Sequence, residues 1–100
     1  MVYRDTHEKV MKKYKIMLEG KNFLLSSDGQ TMKHGFFTTR WVEARDPEEA
    51  ELKAIDLIKN DRGLMNNLLN DQSNPPMIYL REIYELESFD GVSPPGGGYM

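Results

Sequence analysis

The sequence predicts a small α+β domain: a mainly antiparallel sheet of three to four strands in the order β-β-β-α-α-β, with one main helix packed on one face. Three observations carry this. Apolar and polar residues alternate with period two before residue 45 and again over residues 77–86. A helix-start signal, Asp46-Pro47-Glu48-Glu49, opens an apolar stripe with helical spacing. A length of 100 residues leaves room for one thin core, which excludes a dinucleotide-binding unit with a substrate domain or a barrel enzyme.

Residues 1–12 read as a flexible N-terminal extension, residues 13–88 as the single domain, and residues 89–100 as a flexible tail. In Tyr14-Lys15-Ile16-Met17-Leu18-Glu19 the residues Tyr14, Ile16 and Leu18 share a face, which is a half-buried strand. Gly20-Lys21-Asn22 interrupts it, and Phe23-Leu24-Leu25 continues the extended chain after a turn or bulge. Asp28-Gly29 is a hairpin-turn signal. Thr31 to Ala44 then pairs back, with β-branched and aromatic residues dominating Gly35 to Ala44.

Asp46 is an N-cap, Pro47 fits the first helical position because its missing N–H is not needed there, and Glu49 stands where a capping-box carboxylate belongs. Ala50, Ala54, Leu57 and Ile58 form the buried stripe, widened by Ile55 and leaving Leu52 outside. Gly63 is the expected C-cap. Leu64 to Leu69 is a short second helix or turn, and residues 70–76 are a loop. In the last strand Ile78, Leu80, Tyr84 and Leu86 share a face broken by Glu82, with Met77, Tyr79, Arg81 and Ile83 opposite. Ser93-Pro94-Pro95-Gly96-Gly97-Gly98 fits neither helix nor strand.

Hydrophobic residues make up 39% of the chain and charged residues 29%, an ordinary globular composition. With no cysteine, disulfides, thiolate catalysis and Cys-type metal sites are excluded. The start, Met1-Val2-Tyr3-Arg4-Asp5, has no apolar signal region, and the reading is a cytoplasmic protein of bacterial style. No apolar run is long enough for a membrane helix. Net charge is −3, split between nine Lys/Arg against five Asp/Glu in residues 1–45 and four against eleven in residues 46–100. An acidic whole argues against non-specific nucleic-acid binding, while the split suits self-association.

His7 and His34 lie in unrelated contexts without metal-ligand spacing, and the serines occupy turns or the tail. The reading is therefore a non-enzyme without cofactor or metal. The stretch Lys33-His34-Gly35-Phe36-Phe37-Thr38-Thr39-Arg40-Trp41 mixes basic and aromatic residues on one strand. Phe37 and Trp41, four apart on one face, suit the core. As a partner surface the candidates are Phe36, Arg40 and Trp41, joined by Tyr79 and Arg81 from the last strand. Lys33, His34 and Arg40 are the alternative nucleic-acid contacts, since aromatics on a sheet stack bases and cations hold phosphate.

The segment Gly35 to Ala44 followed by Asp46-Pro47-Glu48-Glu49-Ala50 resembles a motif of small uncharacterised bacterial proteins, a resemblance that implies no activity. Three strands followed by a helix opening on an acid and Glu48-Glu49-Ala50 is also similar to HicB-like antitoxin domains. That resemblance implies inhibition of a small RNase toxin, although Trp41-Val42-Glu43-Ala44-Arg45 stands where the family has a Gly-rich turn. The functional expectation is a non-catalytic, self-associating protein–protein interaction module, with nucleic-acid binding or an antitoxin-type regulatory role as the alternative. No membrane partner is expected.

Overall fold

Alternation in the first half of the chain produces two long strands that fold back on each other. The computed structural model describes residues 10–100. Its elements are β1 (Lys12–Ser27), β2 (Gln30–Ala44), α1 (Pro47–Lys59), α2 (Arg62–Met65) and β3 (Met77–Leu86). The sheet has the order β2-β1-β3, and both flanking strands run antiparallel to β1. β2 and β3 are thus parallel to each other, and the connection carrying α1 crosses over β1 to cover one face. The expected α+β class is observed. The expected extension at 1–12 lies outside the described residues except for exposed Val10 and Met11 and for Lys12, which opens β1.

The three leading strands expected from sequence are two. Gly20-Lys21-Asn22 does not end the first strand; it forms a bulge between Gly20 and Phe23. Asn22 takes φ 60°, a left-handed conformation that asparagine tolerates, and the strand continues. Gly20 is required here for another reason. It pairs with Phe36, and a Cβ on Gly20 would lie 2.3 Å from the Phe36 ring. The hairpin turn follows from Asp28 and Gly29, whose φ values of 51° and 78° give the twist that matches the flanking strands.

β1 has two different neighbours on the side away from β2. Residues 13–21 pair with β3. Beyond the bulge, the loop after α2 takes over: Ser26 N–H donates to Asn67 O at 2.9 Å, and Leu69 N–H to Leu24 O at 2.8 Å. Asn70 completes this edge with its side chain. Its Oδ1 accepts from Leu24 N–H at 2.9 Å, and its Nδ2 donates to Asn22 O at 2.9 Å and to Asn74 O at 2.8 Å.

The core lies between the sheet and α1. It holds Tyr14, Ile16, Leu18 and Phe23 from β1, Phe36, Val42 and Ala44 from β2, and Ala50, Ala54 and Ile58 from α1. Full burial of a side chain such as Ile16, Leu18 or Ile58 contributes roughly 1.5–3 kcal/mol. The small residues at 50 and 54 let α1 approach the strands. Glu49 N–H donates to the Asp46 carboxylate at 2.8 Å, as the cap signal predicts. The Glu49 carboxylate reaches one residue beyond the cap and accepts from Arg45 N–H at 2.6 Å. Gly63 is not the C-cap: Asn60 ends α1, and Gly63 lies inside α2, which Asp61 caps through Leu64 N–H at 3.2 Å.

A second bulge lies in β3, where the register steps between Met17 opposite Glu82 and Leu18 opposite Leu80. Arg81 is the extra residue. It inverts the strand's alternation, so Ile78, Leu80 and Ile83 face the core while Tyr79 and Tyr84 share the other face. The sequence expectation that Tyr84 lies with Leu80, and Ile83 with Tyr79, is corrected by this one-residue shift.

Candidate interaction surface

Because α1 covers only one face of the three strands, the other face carries no helix among the described residues, although the C-terminal segment touches it where Phe89 lies beside Lys13 and Gly96 beside Trp41. β1 contributes Lys13, Lys15, Met17 and Glu19 to it, β2 contributes Phe37, Thr39, Trp41 and Glu43, and β3 contributes Tyr79, Glu82 and Tyr84. Phe37 is 42% exposed, Met77 43%, Tyr79 37% and Tyr84 51%. Large apolar side chains from two non-adjacent strands therefore stand in water on the side of the sheet opposite α1. The charges among them are of both signs. Arg81 Nε donates to Glu19 Oε1 at 2.7 Å, and its guanidinium lies 5.0 Å from the centre of the Tyr79 ring. Lys21 Nζ lies 5.7 Å from the same ring. Tyr79 is thus flanked by two cations and held in place on an exposed surface.

The edges of the sheet differ. Residues 95–100, expected as part of a free tail, run antiparallel along the outer edge of β2. Phe37 N–H donates to Met100 O at 2.7 Å, Met100 N–H returns to Phe37 O at 2.8 Å, and Trp41 N–H donates to Pro95 O at 3.1 Å. The outer edge of β3 has no such cover among the described residues.

The sequence-derived candidates divide between these places. Tyr79 and Arg81 lie on the uncovered face and touch each other. Trp41 lies on that face too, half-buried where Gly96 of the tail packs on its ring. The expectation that Phe37 and Trp41 are core is corrected: strand parity puts them opposite the helix. Phe36 and Arg40 occupy the core side, and Arg40 is only 5% exposed, so neither offers a surface. Lys33 is exposed and His34 half-buried near the hairpin turn, on opposite faces of β2 by parity. With Arg40 buried, the three nucleic-acid candidates do not converge. Phe37 and Tyr84 join the surface instead. Parity from buried Val42 and Ala44 back through β2 would have placed Phe37; the bulge that places Tyr84 leaves no sequence signal.

The buried Arg40 belongs to a polar cluster that seats the C-terminal segment. Its Nε donates to Thr38 Oγ1 at 3.0 Å, and Thr38 Oγ1 donates to Gly98 O at 2.8 Å. Its guanidinium lies 5.5 Å from the Tyr99 ring centre, and the Tyr99 hydroxyl donates to Asp61 Oδ2 at 2.6 Å. Burial, followed by the Asp61 hydrogen bond and charge, pushes the Tyr99 hydroxyl up to about 12. The Tyr99 hydrogen bond is the main cause holding the Asp61 carboxyl below its usual range, aided by backbone N–H groups of the α2 start and by Arg40. The Tyr99 ring also meets Phe36 edge-to-face at 4.8 Å, and Phe36 meets Phe23 in the same way at 4.8 Å. Every member of this cluster is accounted for by holding the chain end against the sheet.

An open groove of about 450 Å³ lies between the tail and α1, lined by residues including Trp41, Lys53, Leu57, Pro94 and Pro95. No cluster of three or more His, Asp or Glu able to hold a metal ion occurs among the described residues, and no described helix is long and apolar enough to cross a membrane. His7 lies outside the described residues. Comparison of the chain with protein-family models, with curated proteins and with solved structures finds no match.

Proposed function

We propose that the protein is a non-catalytic protein–protein interaction module whose partner is a second copy of itself, bound through the uncovered part of the sheet around β3. The observation that carries this reading is the set Met77, Tyr79 and Tyr84, all large, apolar and exposed along β3 on one sheet face. Its charges favour a like partner over a polyanion. Lys13, Lys15, Lys21 and Arg81 are interleaved with Glu19, Glu43 and Glu82, so the surface is neither uniformly basic nor uniformly acidic. A two-fold contact brings such a mixed surface against its own complement. A small domain with a thin core also gains from a neighbour that shields its exposed aromatics.

Sedimentation velocity across a concentration series tests this. The expected result is a reversible monomer–dimer equilibrium, and replacing both Tyr79 and Tyr84 by serine weakens it by about tenfold or more, as loss of aromatic anchors does. A monomer at every attainable concentration overturns the reading.

A further inference from the structure

Resting on the self-association reading, we infer that the contact between copies is made edge to edge by β3, about a two-fold axis passing between Arg81 and Glu82, so that two three-stranded sheets continue into one of six strands. The argument comes from the residues of the strand itself, Met77-Ile78-Tyr79-Leu80-Arg81-Glu82-Ile83-Tyr84-Glu85-Leu86. Laid antiparallel on its own copy about that axis, Arg81 faces Glu82, Leu80 faces Ile83, Tyr79 faces Tyr84 and Met77 faces Leu86. Only Ile78 opposite Glu85 joins unlike residues. Each pair occurs twice. The four matched pairs are a charge pair, an aliphatic pair, an aromatic pair and an apolar pair, the cross-strand combinations that stabilise antiparallel sheets.

Face parity turns this match into a structural statement. Opposite residues in an antiparallel pair point to the same side of the sheet, and a two-fold axis normal to the sheet keeps sides unchanged. In a regular strand, Arg81 and Glu82 point to opposite sides and cannot face each other across such an axis. The bulge removes the obstacle. Glu82 lies opposite Met17, on the uncovered side, and Arg81 is on that side as well, since it bonds Glu19. Leu80 and Ile83 then share the core side, and Tyr79 and Tyr84 the uncovered side, as the pairing requires. The same bulge that breaks the alternation of β3 makes the strand symmetric about its own centre.

The edge is also the free one. The outer edge of β2 is taken by residues 95–100, whereas no described segment bonds to the outer edge of β3. An unpaired strand edge is a template for another strand, and here the matching strand is its own copy.

The test uses the full chain in sedimentation velocity, with circular dichroism to check folding. Arg81→Glu places acid against acid at the axis, and Glu82→Arg places base against base. Each variant alone is expected to be a monomer, and their equimolar mixture a dimer, because the two central acids of one strand then meet the two central cations of the other. Since Arg81→Glu also meets Glu19 in its own chain, cysteine pairing provides a second measurement on a chain that has no cysteine. Tyr79→Cys mixed with Tyr84→Cys is expected to give a disulfide-linked dimer under mild oxidation, and neither variant alone to do so. Wild-type dimers with variants that dimerise unchanged, or crosslinks equally strong in single variants, overturn the β3 pairing while leaving self-association standing. A monomeric wild type overturns both.

Discussion

Along the outer edge of β2 the chain supplies its own partner, and along the outer edge of β3 it supplies none among the described residues. The covered edge is closed by residues that cannot form a regular strand. Gly96, at φ 83°, approaches so closely that a Cβ there would lie 2.9 Å from Thr39 O and from the Trp41 ring. Pro95 gives a carbonyl and needs no donor of its own. Side chains then hold the segment: Thr38, Arg40 and Asp61 take its last residues, and Tyr99 reaches into the space beside Phe36. The open edge has the opposite character. β3 is regular apart from its bulge, carries exposed aromatics, and has its charges arranged about its centre. Edge protection is therefore selective among the described residues: a dedicated segment closes one edge, and the other is left as an open strand template.

The closed edge is most vulnerable at Phe36, which joins the core to the tail through Phe23 and Tyr99. Phe36→Ala is expected to cost about 3–5 kcal/mol in chemical denaturation, since it leaves a cavity above Gly20 and removes the seat of Tyr99. A loss under about 1 kcal/mol would mean that the ring is not part of the core. Gly96→Ala comes next, at about 1–3 kcal/mol, because alanine is strained at that φ and meets backbone as well as the Trp41 ring. Hydrogen exchange should show the amides of Phe37 and Trp41 losing protection while those in the centre of β1 keep theirs. Uniform loss would show that the tail does not open independently of the sheet.

Tyr99→Phe is the mildest intervention at the closed edge, at about 0.5–1.5 kcal/mol, the net worth of one part-buried hydrogen bond. Its signature is in the pH dependence. Asp61 is held below its unfolded value, so its share of stability is complete above about pH 4 and is lost as pH falls through the folded value. Tyr99 is raised from 10.0 to about 12, so its share is complete below pH 10 and is lost as pH rises towards 12. The stability gap between wild type and Tyr99→Phe should therefore be flat between these limits and close at both ends. A gap that changes through neutral pH would point to a group other than this pair.

Much of the fold is legible because its signals are local. The Asp46 cap, Pro47, the Ala50–Ala54–Ile58 stripe and the Asp28-Gly29 turn each act within a few residues, and each is found where the residues place it. The candidate surface is less legible. Tyr79 and Arg81 follow from alternation within β3, but Phe36 and Arg40 are buried and Phe37 is exposed, because the choice of face depends on where α1 packs. Tyr84 depends on a bulge caused by pairing with β1. The loop at 70–76 reads as plain turn formers, yet Asn70 replaces a strand neighbour by bonding backbone groups near residue 22, far away in sequence.

Neighbouring residues alone set the α+β class, the position of the main helix and its buried face, and the hairpin turn, since propensity, capping and turn chemistry act over a few positions. Assembly of distant segments set which side of the sheet is covered, which edge is closed and what becomes of residues 89–100. A Pro/Gly-rich segment has no intrinsic order. It is positioned here because Arg40, Asp61 and Phe36 converge on Tyr99 only once the sheet and both helices have come together.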